Sequence, residues 1–205
     1  MGRGIPGRRD IVPLAGTLSR LRRRKRPGDR GEGNSVFRPP GGLVVRNRTQ
    51  GQTVVMPEFA FEVQVRAQEI LVFCVSRSLT DEIRDKFEAI ACVEIFNIPV
   101  LCERLRRALP ADATFHARRV EYYDQSQGPG ARWALADLIA TSKDRGYEWQ
   151  KEFRFVFSLT DALGFEKGTH RLVRGEFVEE SKPAERRTHL VKAGSLRDIC
   201  RLHKV

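Results

Sequence analysis

The stretch Lys143-Asp-Arg-Gly-Tyr-Glu-Trp-Gln-Lys-Glu152-Phe-Arg154-Phe-Val-Phe157 decides the fold. From Trp149 onward it alternates with period two. Phe153, Phe155 and Phe157 fall on one face of a strand, and Gln150, Glu152 and Arg154 fall on the other. Three phenylalanines in a row on one face have to be buried, because each removes a large apolar area from water. A slip of one residue would exchange the two faces, so burying the phenylalanines also fixes where the polar trio stands.

Working outward, Trp133, Leu135, Leu138 and Ile139 mark a helix up to about Ser142, and Thr114–Tyr123 reads as a strand ending in Glu121-Tyr-Tyr-Asp124. Before that, Asn97 caps a helix whose Leu101, Leu105 and Leu109 face inward, and Pro110 ends it. Thr80 caps another, with Asp81 and Glu82 at the positive end of its dipole and Ile83, Phe87 and Ile90 as the inward stripe. Ala91–Phe96 is a strand that carries Glu94 among apolar neighbours. Ile70–Ser76 is apolar on both faces, which predicts a central strand covered on both sides. Phe59–Val65 is a further strand. A hairpin joins Leu43–Arg46 to Thr53–Met56 through the turn-rich Asn47–Gln52. Beyond the phenylalanine strand, Leu172–Val173 and His189–Val191 read as short closing strands, and Ser195 caps a last helix through Leu196, Ile199 and Leu202. The order predicts a single α+β domain over residues 43–205, with a mixed β-sheet packed by three to four helices.

The net charge of +11 resembles a nucleic-acid signature until it is divided. Residues 1–42 hold 11 of the 37 Lys and Arg against three of the 26 acids, which leaves 26 bases against 23 acids for the rest. The basic character belongs to this Gly-, Pro- and Arg-rich leader, whose scattered apolar residues cannot build a core and predict disorder. Leu14, Leu18 and Leu21 have helical spacing and run into Arg22, Arg23, Arg24, Lys25 and Arg26. That run is the candidate arm for a nucleic-acid partner, and it lacks the interleaved aromatics that stack on bases. The longest apolar run, Ile70–Val75, is too short to span a bilayer, and the start of the chain has no apolar signal region. Cys74, Cys92, Cys102 and Cys200 form no Cys-x-x-Cys pair and predict reduced thiols in a cytoplasmic protein. His116, His170, His189 and His203 do not stand at metal-ligand spacing, so no metal and no resident cofactor is expected.

Four pieces stand together in this chain: Val72-Phe-Cys-Val-Ser-Arg-Ser78, Ala91-Cys-Val-Glu-Ile95, Val120-Glu-Tyr-Tyr-Asp124, and Lys143…Gln150-Lys-Glu152-Phe-Arg154. Over roughly residues 43–175 they resemble a bacterial family catalogued only as a domain of unknown function. Its pattern is a Phe-Cys-x-Ser strand and a late Lys…Glu-x-Glu-x-Arg signature. Gln150 replaces the first acid of that signature, and the family's Trp-x-x-Tyr segment is missing after the serine strand. The resemblance implies a bacterial protein and no particular activity.

Gln150-Lys-Glu152 is also similar to the catalytic-acid segment of ADP-ribosyltransferases, which would make NAD a substrate. That similarity implies Glu152 as catalytic acid, Gln150 orienting the acceptor, Ser76 or Ser78 as the strand serine, and Arg77 or Arg154 on the pyrophosphate. No residue here is placed as the first-strand Arg or His of that fold. The plain reading of Glu152 and Arg154 is a pair at the sheet surface, with neighbours such as Lys143 or Glu121, and exposed pairs contribute about 0–1 kcal/mol. Between these stands an anion- or small-ligand-binding site that gathers Glu152, Arg154, Gln150, Lys143, Arg77, Glu94 and His116. Glu94 is expected at a solvated strand end, and His116 shares a strand face with Arg118. The sequence leaves enzymatic activity open.

Overall fold

The phenylalanine stretch is the middle strand of an antiparallel sheet in the computed structural model of the protein, which describes residues 11–12, 33–128, 130–174 and 190–204. In chain order the strands and α-helices begin with β1 (Ile11–Val12), β2 (Asn34–Phe37), β3 (Leu43–Arg46), β4 (Thr53–Met56), β5 (Phe59–Gln64), β6 (Ile70–Ser76) and α1 (Asp81–Lys86). They continue through β7 (Ala91–Ile95), α2 (Ile98–Ala108), β8 (Thr114–Arg119), β9 (Glu121–Tyr123), α3 (Ala136–Ala140) and β10 (Ser142–Asp144). β11 (Glu152–Ser158), β12 (Thr169–Arg174) and β13 (Cys200–Lys204) complete the set, and short 3-10 turns stand at Ala67–Glu69, Gly130–Ala134 and Arg145–Gln150. The class is α+β. Its strands are divided among three three-stranded antiparallel sheets, the β3–β4 hairpin and one parallel pair, β9–β10.

β11 lies between β6 and β8, with Phe155 opposite Phe73 on one side and Ala117 on the other. Period two then sorts the whole sheet. One face carries Val75, Phe153 and Phe155 and packs on Ile95, Leu101 and Ile199, so α2, β7 and the C-terminal segment cover it. The other carries Ile70 and Val156 and packs on Trp133, Ala136, Ile139 and Ala140, so α3 covers it, with Val63 and Val65 beside it. The two remaining sheets, β1-β7-β13 and β2-β5-β12, flank these layers. Two of the three predicted caps form: the Thr80 and Asn97 side-chain oxygens accept from the backbone N–H of Ile83 and Val100, each at 3.2 Å, whereas no helix follows Ser195.

Several expectations change. β6 is an outer strand of its sheet, with Val72 and Phe73 exposed, because apolarity on both faces describes what covers a strand and not its place in the order. α1 closes at Lys86, so only Ile83 of its expected stripe is buried; Phe87 lies against the Trp149 ring at 5.5 Å and Ile90 is exposed. The strand expected over Thr114–Tyr123 breaks at Val120, after which β9 turns to pair with β10. The expected last helix is instead a turn followed by β13, which pairs antiparallel with β7. Residues 190–191 form no strand, and His189 lies outside the described residues. β2 falls inside the segment expected to be leader and pairs with β5, so the folded region extends N-terminal of residue 43. Arg22, Arg23, Arg24, Lys25 and Arg26 lie outside the described residues.

Candidate functional site

Glu152 opens β11, and three local devices bring its neighbours to it. The chain does not enter the strand directly from Trp149. Arg145–Gln150 form a 3-10 turn capped by Asp144, whose carboxylate accepts from Gly146 N–H at 2.8 Å. Lys151 then takes a left-handed conformation with φ 45°, which costs a residue with a Cβ about 1–2 kcal/mol and reverses the chain sharply. That reversal lets Gln150, on the turn, and Glu152, on the strand, aim at one cation. The cation is Lys143 of β10, whose Nζ donates to Gln150 Oε1 at 2.6 Å and to Glu152 Oε1 at 2.9 Å. The second oxygen of Glu152 accepts from Arg154 Nε at 2.8 Å, and Arg154 Nη1 reaches the Ala140 carbonyl at the end of α3, also at 2.8 Å. The Lys143, Arg154 and Glu152 side chains are 4%, 2% and 11% exposed. The expected surface pair is therefore a buried network. In that setting the desolvation of each charge is balanced only by close partners.

The same face continues across β8. Arg118 stands directly opposite Arg154, and His116 opposite Val156. Arg118 Nη2 contacts Asp137 of α3 at 2.7 Å, and His116 Nδ1 lies 3.8 Å from the same carboxylate. Like charges opposed across a ladder repel, so Asp137 and Glu152 hold this pair of arginines together. Arg118 and His116 are 35% and 31% exposed, which makes them the side of the cluster that meets solvent.

Ser76 is opposite Glu152 in the β6–β11 register, and its hydroxyl donates to the Gln150 carbonyl at 2.8 Å. Arg77 N–H donates to the Lys151 carbonyl at 3.0 Å. The Nε of Arg77 and the hydroxyl of Ser78 are buried and make no hydrogen bond among the described residues. Glu94 does not join this group. It is buried on the middle strand of the β1-β7-β13 sheet and meets His203 Nε2 at 3.0 Å, which corrects the expected solvated strand end. Its strand belongs to the layer that packs the phenylalanine face, on the far side of the sheet from Arg154. Two participants escaped sequence reasoning. Asp137 sits on a helix read only for its apolar positions, where an acid beside Ala136 and Leu138 is its one visible signal. The other is Tyr122, whose hydroxyl accepts from Glu152 N–H at 2.8 Å and ties the parallel β9–β10 pair to the head of β11.

Burial pushes the Tyr122 phenol up to about 12, against the opposing pull of the Glu152 N–H that favours the phenolate. The folded value lies above the ordinary one near 10, so this contribution to stability is complete below pH 10 and is lost as pH rises toward 12. Tyrosinate absorbance should therefore show a step near pH 12 that vanishes in Tyr122→Phe. A step near pH 10 for this residue would mean that the head of β11 is open to water.

A second basic surface lies at the end of α2, where Arg104, Arg107, Ala108 and Lys192–Gly194 line an open hollow of about 240 Å³. Its arginines are already engaged, Arg104 by Asp198 and Arg107 by Glu103. The four cysteines are thiols outside any disulfide, and burial raises the pKa of Cys92, Cys102 and Cys200. No group of three His, Cys, Asp or Glu side chains suited to a metal ion occurs among the described residues. No helix among the described residues is long and apolar enough to cross a membrane. The chain matches no family model, no curated protein and no solved structure.

Proposed function

We propose that the protein binds a small anionic ligand, a carboxylate or phosphate group, at the solvent-facing end of the polar cluster. The observation that carries this reading is the opposition of Arg118 and Arg154 on one sheet face, with Lys143 behind them. Arg118 uses one nitrogen on Asp137, and its side chain is 35% exposed beside His116. A planar guanidinium fork takes two oxygens of a carboxylate or phosphate in parallel hydrogen bonds. Behind it, Glu152, Lys143 and Gln150 act as a rigid base that keeps Arg154, and through it the sheet face, in place.

The test is thermal stability of the full chain titrated with phosphate, pyrophosphate, citrate and NAD at constant ionic strength. A ligand at about 100 times its dissociation constant adds about 2.7 kcal/mol to the native state, which is visible as a rise in Tm. Arg118→Gln is expected to weaken binding at least about tenfold, the order of one charged hydrogen-bonded contact. No rise with any of the four anions, or an undiminished rise in Arg118→Gln, would sink the reading. A second reading, ADP-ribosyl transfer from NAD, draws on Ser76 and Gln150 meeting beside Glu152. It requires that NAD stand out among the four ligands and that Glu152→Gln abolish transfer while the variant stays folded.

A further inference from the structure

Beyond the buried Leu43 at its base, one hairpin stands clear of the packed layers of the described residues. Among the described residues β3 and β4 pair only with each other, and every residue from Val44 to Val55 is exposed. Valines occupy both faces of this ribbon: Val44 is opposite Val55 and Val45 opposite Val54, and they are 45–66% exposed. Eight consecutive positions from Arg46 to Thr53 carry only polar side chains or glycine, and the segment from Leu43 to Met56 contains Arg46 and Arg48 and no acid. The tip is built to hold its shape. Asn47 Oδ1 accepts from the N–H groups of Thr49 and Gln50, Asn47 N–H donates to the Gln52 carbonyl, and Gly51 takes a φ of 68°. Its base is equally fixed: Gly42 has a φ of 90°, and a Cβ there would lie 2.3 Å from Pro57 Cα.

We infer that this ribbon docks into the major groove of duplex DNA. This reading is independent of the anion site on the sheet. A two-stranded antiparallel ribbon fits a groove about 12 Å wide. Asn47 and Gln50 bond each other within the turn at 3.1 Å, and the exposed side chains left to a partner, Arg46, Arg48 and Gln52, are of the types that hydrogen-bond phosphates and the edges of guanine and adenine. The valines give apolar contact with thymine methyl groups and the groove wall. Charge selects the occupant. A second copy would bring arginine-bearing, acid-free ribbons together, whereas a polyanion neutralises them. The groove geometry selects B-form DNA over duplex RNA, whose major groove is too deep and narrow for side chains to read.

Fluorescence anisotropy of the full chain with a labelled 20-base-pair DNA duplex, a duplex RNA of the same sequence and the single DNA strand tests this. Two variants are used: Arg46→Gln with Arg48→Gln, and replacement of residues 47–52 by Asn-Gly. The second keeps the Arg46–Thr53 pairing on a two-residue turn, so the ribbon still forms while its tip is gone. Both are expected to weaken duplex DNA binding about tenfold, and the double substitution to lower the slope of log K against log salt by about two. The wild type should prefer duplex DNA to both other probes. Absence of duplex binding, equal binding to all three nucleic acids, or variants that bind within twofold of wild type would each overturn the inference. The last result would move any affinity to another basic segment. Ribbon-dependent dimerisation in sedimentation, without DNA binding, would assign the ribbon to a second copy instead.

Discussion

Glu152→Ala should cost the domain about 3–5 kcal/mol, the usual result of removing one partner from a buried ion pair. A single domain has only about 5–15 kcal/mol to lose. The reason lies in how much converges on this carboxylate. One oxygen serves Lys143 and the other Arg154, and both cations are almost wholly buried. Truncation removes the charge they share and leaves them facing each other where water screens poorly. Glu152→Gln keeps the shape and one acceptor, so its loss should be smaller. Lys143→Met placed on Glu152→Ala should recover part of the loss, because it removes one of the two buried cations that shared the carboxylate; the sign of that coupling separates an electrostatic origin from a packing one. Urea unfolding followed by circular dichroism gives all of these values. A loss under about 1 kcal/mol for Glu152→Ala would return the pair to the class of exposed surface bridges.

Phe155→Ala should be about as damaging, at about 3–5 kcal/mol, for a different reason. Phe155 is 0% exposed at the middle of the middle strand, stacked on Phe73 at 5.6 Å and edged by Phe153 at 5.2 Å. α2 and the segment around Ile199 close over it, so the cavity has rigid walls and little means of collapse. Phe73→Ala, on the outer strand and 39% exposed, should cost clearly less. If the two substitutions cost the same, the order of strands in this sheet would be wrong.

What was legible in the sequence is what repeats with a short period. The alternation through Phe153, Phe155 and Phe157 gave the strand and its faces, and the side-chain caps at Thr80 and Asn97 gave two helix starts, because each signal is carried by residues within one turn. Where long-range pairing decides, the local signal failed. Leu196, Ile199 and Leu202 have helical spacing, yet Cys200–Lys204 pairs with β7, and the chance to complete that sheet overrides spacing over so few residues. Period two places the polar trio on one strand face, whereas Gln150 reaches the same cation from a turn, through a left-handed Lys151 that no composition rule announces. The burial of the network was equally hidden. Charged residues beside a phenylalanine run read as solvated until α3 is seen to lie over them. The exclusion of Glu94 is a fact of sheet topology, since β7 belongs to the opposite layer.

The place of β11 between β6 and β8 also sets a schedule for the ribosome. Both outer strands are synthesised before the strand that joins them: β8 ends at Arg119 and β11 at Ser158. At about 5–20 residues per second, those last 39 residues take about 2–8 s. Throughout that interval the nascent chain carries Val72, Phe73 and Phe115 on two strands that have no shared neighbour. Until Ser158 emerges these apolar side chains lack the strand that joins them, the kind of exposed surface that leads nascent chains to aggregate.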